Sequence, residues 1–250
     1  AWLWTGPNNF SSNLQNPVIN NSTLLNNGTY TVNATATNGC TSGRSIYVTV
    51  NSCSFAFNVK AFLEGPYIGF RTMMPTLYGL GLSSESNATD SIQIQLWSPD
   101  SLSSQYGLYT ANTILRTNGT SIIKVPTYLI GRSLYVVIKH RNSIETWSAD
   151  PVLLLDGGTY DFTDSPLKAY SDNSRPAMKR ITSGNVYALY SGDINQDGTI
   201  DGSDMNEVDN NTVLGSYGYD ASDVNGDGAT DGLDMNIVDN NTGLGLYFAR

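Results

Sequence analysis

The C-terminal part of the chain contains one twelve-residue pattern twice, as Asp193-Ile-Asn-Gln-Asp-Gly-Thr-Ile-Asp-Gly-Ser-Asp204 and as Asp223-Val-Asn-Gly-Asp-Gly-Ala-Thr-Asp-Gly-Leu-Asp234. Both copies have oxygen-bearing side chains at positions 1, 3, 5, 9 and 12 and a glycine at position 6. In a tight loop, alternate side chains converge on one point, the glycine permits the sharp turn, and position 7 contributes its backbone carbonyl. The spacing therefore predicts two calcium-binding loops rather than two turns of a solvated acidic tail.

Each loop offers four carboxylates and one amide, together with one backbone carbonyl. These are hard oxygen ligands, and with no cysteine or histidine nearby in the sequence they favour calcium over transition metals. Position 12 is aspartate in both loops, where the EF-hand loop has the longer glutamate. The predicted calcium ligands are Asp193, Asn195, Asp197, the Thr199 carbonyl, Asp201 and Asp204 in the first loop, and Asp223, Asn225, Asp227, the Ala229 carbonyl, Asp231 and Asp234 in the second.

The repeat continues beyond each loop, because residues 204–215 closely match residues 234–245. Each copy has a methionine and a valine three residues apart, Met205 and Val208 or Met235 and Val238, which places them on one face of a short helix. The asparagine pairs that follow are predicted to end these helices. Because a two-turn helix is marginal on its own, each unit is expected to bury its apolar face against the other. Four carboxylates per loop repel one another without the ion, so we expect folding of the pair to require calcium.

At these residues the segment resembles a dockerin, the duplicated loop-and-helix module that docks extracellular proteins onto cohesin partners. The resemblance implies two bound calcium ions and a cohesin-like partner. The chain departs from the family at loop positions 10 and 11, which contact the partner there and are Gly202-Ser203 and Gly232-Leu233 here. The predicted helices are also shorter. Calcium-dependent folding therefore carries over to this chain, whereas cohesin binding does not.

Negative charge is concentrated in this same segment. Residues 193–250 contain twelve acidic residues and one basic residue and carry a formal charge of −11, while residues 1–192 contain ten acidic and twelve basic residues and carry +2. Binding to nucleic acid or anionic lipid needs clusters of Lys and Arg, so this composition argues against both. No apolar run approaches the roughly 18 residues of a membrane span. The low charged fraction of 14% is typical of a secreted or cell-surface β-protein with polar turns.

Residues 1–52 are predicted to form a partial β-sandwich, with strands at 2–5, 18–20, 29–37 and 45–50. The runs Trp4-Thr-Gly-Pro-Asn-Asn-Phe10, Gly28-Thr-Tyr-Thr-Val32 and Asn38-Gly-Cys40 resemble the immunoglobulin-like or PKD-like repeats of large bacterial surface proteins. That family has about seven strands, so four or five would leave an open edge. The chain also begins at Ala1 without a signal-peptide pattern. Either it is a fragment, or another subunit supplies the missing strands by β-augmentation.

The two cysteines are not expected to pair with each other. Cys40 ends one predicted strand and Cys53 lies beyond the next. A hairpin would therefore hold the thiols about 25–30 Å apart, well beyond the limit of about 7 Å between the Cα atoms of a disulfide. The resemblance implies a disulfide from Cys40 to a strand outside this chain, and a free buried thiol is the alternative.

Residues 53–190 are predicted to form a second β-sandwich, with strands at 55–62, 92–97, 108–115, 121–125, 134–140, 151–155, 159–162 and 177–181. The segments Phe62-Leu-Glu-Gly-Pro-Tyr67, Leu134-Tyr-Val-Val-Ile-Lys-His-Arg-Asn142 and Tyr160-Asp-Phe-Thr163 resemble a region near the C-termini of secreted Bacteroidetes surface proteins. There, too, the region leads into a calcium-loop tail, which is residues 191–250 here. Together with the first segment, the resemblance covers nearly the whole chain and implies location and architecture more than activity.

The sequence contains no residue set that predicts catalysis. His140 is the only histidine, so a Ser-His-Asp arrangement would have to use it. Its charged neighbours Lys139 and Arg141 suit a strand edge instead. Trp97 and Trp147 are candidates for stacking against sugars, although aromatic side chains in β-sandwiches more often belong to the core.

These observations predict a mainly β protein with two sandwich segments, the first of them deficient in strands, and a dockerin-like calcium domain. The preferred function is that of a non-catalytic, calcium-stabilised extracellular protein. It would assemble with its own copies or with a larger surface protein into a filament, a surface layer or an adhesin. The first alternative is a dockerin-type tail that docks a secreted enzyme onto a cohesin-like partner, and the second is a carbohydrate-binding module.

Overall fold

Antiparallel strands make up most of the secondary structure, and the two long helices lie in the C-terminal part of the chain. The mainly β prediction is therefore confirmed. The computed structural model describes residues 1–20, 22–51, 53–101, 107–171, 176–181 and 184–246. Packing divides the chain into two units, Ala1–Ser54 and Phe55–Arg250, so the second sandwich and the tail belong to one unit. The division into three domains stays a prediction. None of the described helices is long and apolar enough to cross a membrane.

The first unit is an antiparallel sheet of four strands in the order β2-β1-β3-β4. Tyr30 is buried on one face of the sheet, where its ring packs edge-to-face with that of Phe10, with the two ring centroids 5.4 Å apart. Every residue of β4 is exposed. Within the described part of residues 1–54, no second sheet covers this one. The strands are β1 (Trp2–Gly6), β2 (Phe10–Ser12), β3 (Gly28–Thr35) and β4 (Thr41–Val48), and a 3-10 turn spans Leu24–Asn26.

In this unit one predicted strand does not form, and one short strand was not predicted. Residues 18–20 form no strand, because Pro17 lacks an N–H donor and Val18 is exposed without a neighbouring strand to pack on. Strand β2 was not predicted, since it has only three residues. It follows a turn in which Asn8 and Asn9 adopt φ angles of 55° and 57°, as tight hairpin turns require.

The second unit begins with a β-sandwich, as the sequence predicts. One sheet has the order β10-β5-β14, and the other has the order β12-β11-β8-β9, with β13 paired to β11. Alternate residues of both sheets point inward and form one buried cluster, which includes Phe57, Val59, Ile94 and Ile138. The strands are β5 (Ser54–Lys60), β6 (Tyr67–Gly69), β7 (Thr72–Met73), β8 (Ala88–Trp97), β9 (Tyr109–Arg116), β10 (Thr120–Pro126), β11 (Ser133–His140), β12 (Ser143–Trp147), β13 (Val152–Leu153), β14 (Thr159–Asp161), β15 (Lys179–Arg180) and β16 (Tyr187–Ala188), with 3-10 turns at Pro99–Ser101, Thr127–Leu129 and Pro166–Lys168.

The sequence reasoning missed the short elements of this sandwich. Strands β6, β7 and β16 and the helix α1 (Thr76–Gly79) have two to four residues each, too few to show a period. Strand β12 is not among the predicted strands, because polar residues interrupt its apolar pattern. The predicted strands at 151–155 and 177–181 shrink to the two-residue strands β13 and β15.

The tail consists of two loops, each followed by a helix, α2 (Gly202–Leu214) and α3 (Gly232–Thr242). Both helices are longer than the two predicted turns, so the asparagine pairs do not end them. Val208 and Val238 are fully buried in one cluster, which agrees with the expected packing of one repeat on the other. The sandwich residues Ile144 and Tyr190 belong to the same cluster. The core of the tail is therefore completed by the sandwich.

Candidate functional site

The aspartate at position 12 closes each candidate calcium loop. In the first loop, Asp204 is buried and its Oδ1 accepts hydrogen bonds from the backbone N–H groups of Ile194 and Asn195, at 2.7 and 3.2 Å. Its Oδ2 accepts from the N–H of Asp201 at 3.0 Å, as part of the capping box that begins α2. In the second loop, the corresponding bonds join Asp234 to the N–H groups of Val224, Asn225 and Asp231 at 2.7, 2.9 and 2.9 Å.

The middle of each loop has the backbone conformation that the sequence predicts. Gly198 and Gly228, at position 6, adopt φ angles of 89° and 91°, which strain other residues. In the first loop, Asp197 Oδ1 accepts from the N–H of Thr199 at 2.9 Å, and Asn195 Oδ1 accepts from the N–H of Asp197 at 2.8 Å. Alternate side chains thus turn back over the loop.

The aspartate at position 1 is buried in both loops. One oxygen of Asp193 is buried without a hydrogen-bond partner among the described residues. Burial, and then the charge of Asp204, raise the pKa of Asp193 to about 7. Burial raises the pKa of Asp223 to about 6, although the nearby Arg141 opposes this shift. A nearby positive charge would therefore favour the ionised form of both carboxyl groups.

Calcium would supply that charge, and the residues present suit it. The donors are hard oxygens, the position-6 glycines have the required conformation, and Asp193 has a buried oxygen that lacks a partner. Within the described part of the chain, no three acidic, histidine or cysteine side chains are gathered around one point. The loop carboxylates instead accept bonds from N–H groups of their own loops, and would turn toward the ion to coordinate it. The ligand set from Asp193 to Asp234 stays a prediction.

The turn after β11 holds the backbone at the start of the second loop. Arg141 donates hydrogen bonds to the carbonyl oxygens of Asp220 and Asp223, the latter at 3.0 Å. Asn142 Nδ2 donates to the carbonyl oxygens of Ala221 and Asp223, at 3.0 and 3.2 Å. Two adjacent sandwich residues therefore fix the residue that occupies position 1 of this loop.

Two further sandwich residues contact the second loop. The Thr76 hydroxyl donates to the Gly226 carbonyl at 2.7 Å. A Cβ atom at Gly65 would overlap the Val224 carbonyl oxygen, so the backbones approach too closely for any other residue. The second loop is thus seated directly on the sandwich.

Asp90 is the centre of the polar network that supports this contact. It is buried, and its carboxylate lies 3.1 Å from His140 Nε2 and 3.2 Å from Arg141 Nε, and accepts a 2.5 Å hydrogen bond from the Tyr219 hydroxyl. Arg141 also stacks over the Tyr219 ring, at 4.6 Å from its centroid. Burial alone would raise the pKa of Asp90, but His140 and Arg141 hold it well below its usual range. Sequence reasoning missed this network because its members are far apart along the chain.

The same network places Asp90, His140 and Ser143 in the order of a Ser-His-Asp triad. His140 Nδ1 lies 2.9 Å from Ser143 Oγ, which lies 3.4 Å from Ser191 Oγ. All four residues are buried, so a substrate has no access to the serine hydroxyls. The arrangement therefore joins β11 and β12 to the start of the tail and offers no nucleophile.

Trp97 and Trp147 pack against each other, with ring centroids 5.3 Å apart. Trp147 is buried against Tyr135 and Val137. Its indole N–H donates to Glu145 at 2.6 Å. Because its ring is covered by neighbouring side chains, Trp147 offers no flat surface to a sugar. Sugar stacking at Trp97, which is half-buried, stays a prediction.

Cys40 lies in the turn between β3 and β4, and Cys53 lies beyond the other end of that hairpin. Cys40 is exposed, so the alternative of a buried thiol is wrong. A disulfide from Cys40 to a strand of another chain stays a prediction.

The dockerin type I domain family matches residues 191–241, which include both loops and nearly all of both helices. The resemblance of the tail to a dockerin is therefore confirmed, and domains of this family bind calcium. The resemblances to immunoglobulin-like repeats and to Bacteroidetes surface proteins stay predictions. No similar protein was found among the curated proteins compared with the chain.

Solved structures similar to this chain include two crystal structures of mutant type II cohesin–X-dockerin complexes from Acetivibrio cellulolyticus. Both are 15% identical to the chain. The match to the first structure spans 74% of this chain and 94% of the chain in that structure, with a TM-score of 0.40. The match to the second structure spans 75% of this chain and 94% of the chain in that structure, with a TM-score of 0.42.

Proposed function

We propose that the tail is a calcium-dependent docking module that attaches this chain to a cohesin-like domain outside the cell. The observation that carries the proposal is the dockerin match over two complete loop-and-helix repeats. It favours the docking alternative over assembly as the main function. The rest of the chain supplies no accessible catalytic set among its described residues, so we assign it a non-catalytic role.

The docking surface that we propose lies at the C-terminal end of the first repeat. Val213, Leu214 and Tyr217 are about four-fifths exposed, at 80%, 78% and 82%. The second repeat is engaged differently, because its loop is seated on the sandwich and Asn241 of α3 is fully buried. The first repeat is therefore the freer of the two, and a cluster of exposed apolar side chains is typical of the centre of a protein interface.

Replacing Val213 and Leu214 together by Asp is expected to weaken cohesin binding at least tenfold, because two charges would be buried in the interface. The measurement is calorimetric titration of the full chain against a panel of type I and type II cohesin domains, in calcium and in chelator. The matched control is Leu167→Asp on the sandwich, where Leu167 is equally exposed. This variant should bind as the unmodified chain does.

Two results would count against docking. One is that no cohesin in the panel binds in calcium. The other is binding that persists unchanged in chelator, because the loops would then have no part in the interaction.

The sheet of the first unit favours assembly as a second candidate function. Ile46, Tyr47 and Val48 of the edge strand β4 are exposed. An open cleft of about 490 Å³ runs along the sheet, lined by residues that include Trp4 and Tyr30. An uncovered apolar face next to a free edge is suited to strand addition from another subunit.

If the chain assembles in this way, light scattering and negative-stain microscopy are expected to show ordered polymers in calcium that dissociate in chelator. Replacing Ile46 by Lys should prevent their formation, since a charge on an edge strand opposes pairing. Monodisperse monomers under both conditions would rule out assembly and leave docking as the single proposed function.

A further inference from the structure

Lys179, Glu64 and Asn241 form a closed hydrogen-bonded cluster where the sandwich meets the last helix. Lys179 Nζ donates to Asn241 Oδ1 at 2.9 Å and lies 3.1 Å from Glu64 Oε1. Asn241 Nδ2 donates to Glu64 Oε2 and to the Ser191 carbonyl, both at 2.7 Å. Asn241 is fully buried, and the side chains of Glu64 and Lys179 are 12% and 26% exposed. An amine, a carboxylate and an amide from three side chains therefore contact one another in a largely buried site.

The orientation of the Asn241 amide is fixed by its neighbours. The Ser191 carbonyl can only accept a hydrogen bond, so the amide nitrogen must face it and the amide oxygen must face Lys179. With a C=O bond of about 1.23 Å, the 2.9 Å hydrogen bond leaves Nζ within about 4 Å of the amide carbon. Reacting atoms in near-attack geometry are about 3–3.5 Å apart, so a small rotation of the lysine suffices.

We propose that Lys179 and Asn241 become joined by an intramolecular isopeptide bond, with Glu64 transferring the protons. Glu64 Oε1 accepts a proton from the Lys179 ammonium group, and the resulting amine attacks Cγ of Asn241. The Nζ–Cγ bond forms and the Cγ–Nδ2 bond breaks. Glu64 Oε2, already hydrogen-bonded to Nδ2, gives this proton to the leaving nitrogen, and the carboxylate then takes the second proton from the attacking nitrogen and passes it to the departing ammonia. The positive charge of the lysine leaves as ammonium, and the reaction needs no oxidant or further reactant.

The rest of the unit shows why this cluster differs from an ordinary ion pair. Lys60 and Lys139 contact the carboxylates of Asp161 and Glu145, and no side-chain amide in the described part of the chain is hydrogen-bonded to both members of either pair. Asn211 occupies the position of Asn241 in the first repeat. It donates to Asp220 and Ser222 of the tail itself. Among the described residues, therefore, only the asparagine of the second repeat forms hydrogen bonds with a lysine and a glutamate of the sandwich.

The bond would fasten α3 covalently to β15. If the tail is docked to a partner, a pulling force on the chain acts on the tail helices, and the cross-link would transmit this force directly to the sandwich. It would also close a chain segment of about 60 residues. By analogy with a disulfide of that span, its loss should lower the unfolding temperature by about 10 °C.

Intact-mass spectrometry of the full, calcium-loaded chain tests the proposal. The expected mass lies about 17 Da below that of the sequence, the mass of one ammonia. A tryptic digest should contain one branched peptide joining Lys179 to Asn241. Lys179→Arg, which keeps the positive charge, and Glu64→Gln should both have their full sequence mass.

Lys168→Arg is the matched control. Lys168 lies over the Tyr160 ring as Lys179 lies over the Tyr190 ring, but among the described residues it has no such cluster. This variant should retain the mass deficit. A full sequence mass for the unmodified chain, even after prolonged incubation, would overturn the proposal. So would a deficit that persists in Lys179→Arg, because it would then arise from cyclisation of an asparagine and not from the lysine.

Discussion

Removing calcium with a chelator is expected to melt α2 and α3 and to abolish most of the helical circular-dichroism signal. Both helices begin at capping boxes whose carboxylates belong to the loops, so helix and loop form together. Without the ion, the four carboxylates of each loop repel one another. Ionising Asp193 and Asp223 is further opposed by their burial, which raises the pKa of each.

The expected effect is large. At a calcium concentration a thousandfold above the dissociation constant, each site stabilises the folded state by about 4 kcal/mol, so two sites contribute about 8 kcal/mol. For a chain of this size, we expect the unfolding temperature of the tail to fall by about 15–30 °C. Thermal unfolding followed at the helical band, with and without chelator, measures the difference.

Two single variants separate the loops. Asp193→Ala and Asp223→Ala should each reduce the calcium bound, as measured by calorimetric titration, from two ions to one. The exposed Asp100 provides the control, and Asp100→Ala should bind both ions. An unchanged helical signal in chelator would contradict the calcium-loop assignment.

The sequence predicted the tail well because its determinants are local. The two loops are specified by residues within twelve positions, and the glycines at position 6 have the conformation that this pattern requires. The packing of Val208 against the second repeat followed from the helical spacing alone. The helix ends were wrong because the left-handed glycine cap at Gly215, and not the asparagine pair, ends α2.

The junction between sandwich and tail could not be predicted in the same way. Asp90 and Tyr219 are separated by 129 residues, and Glu64 and Asn241 by 177. No periodicity or short motif relates positions that far apart. The junction residues also have ordinary neighbours in sequence, such as the Glu64-Gly-Pro turn. Only the folded chain shows that these polar residues meet in a buried site.

Replacing Asp90 by Ala is expected to destabilise this junction by about 3–5 kcal/mol, because the change leaves buried charged and polar partners without their acceptor. Arg141 and the Tyr219 hydroxyl would both lose the carboxylate that accepts their hydrogen bonds. Since Arg141 also holds the carbonyl of Asp223, we expect the calcium affinity of the second loop to fall more than that of the first. Chemical denaturation and calcium titration measure the two effects, and Asp100→Ala is again the control.

The pH dependence gives an independent check on the role of Asp90. Its partners hold the pKa of Asp90 below the unfolded value of about 3.9, so the stabilisation is present above that pH and is lost as the pH falls below it. As the pH falls below about 4, the unmodified chain should therefore lose the stability that ionised Asp90 contributes, whereas Asp90→Ala has none of it to lose. The difference in stability between the two should shrink steadily as the pH is lowered further. If Asp90→Ala matched the unmodified chain at neutral pH, or if both lost stability in parallel, Asp90 would not hold the tail on the sandwich. The seating of the second loop would then rest on the contacts of Thr76, Gly65 and Asn142.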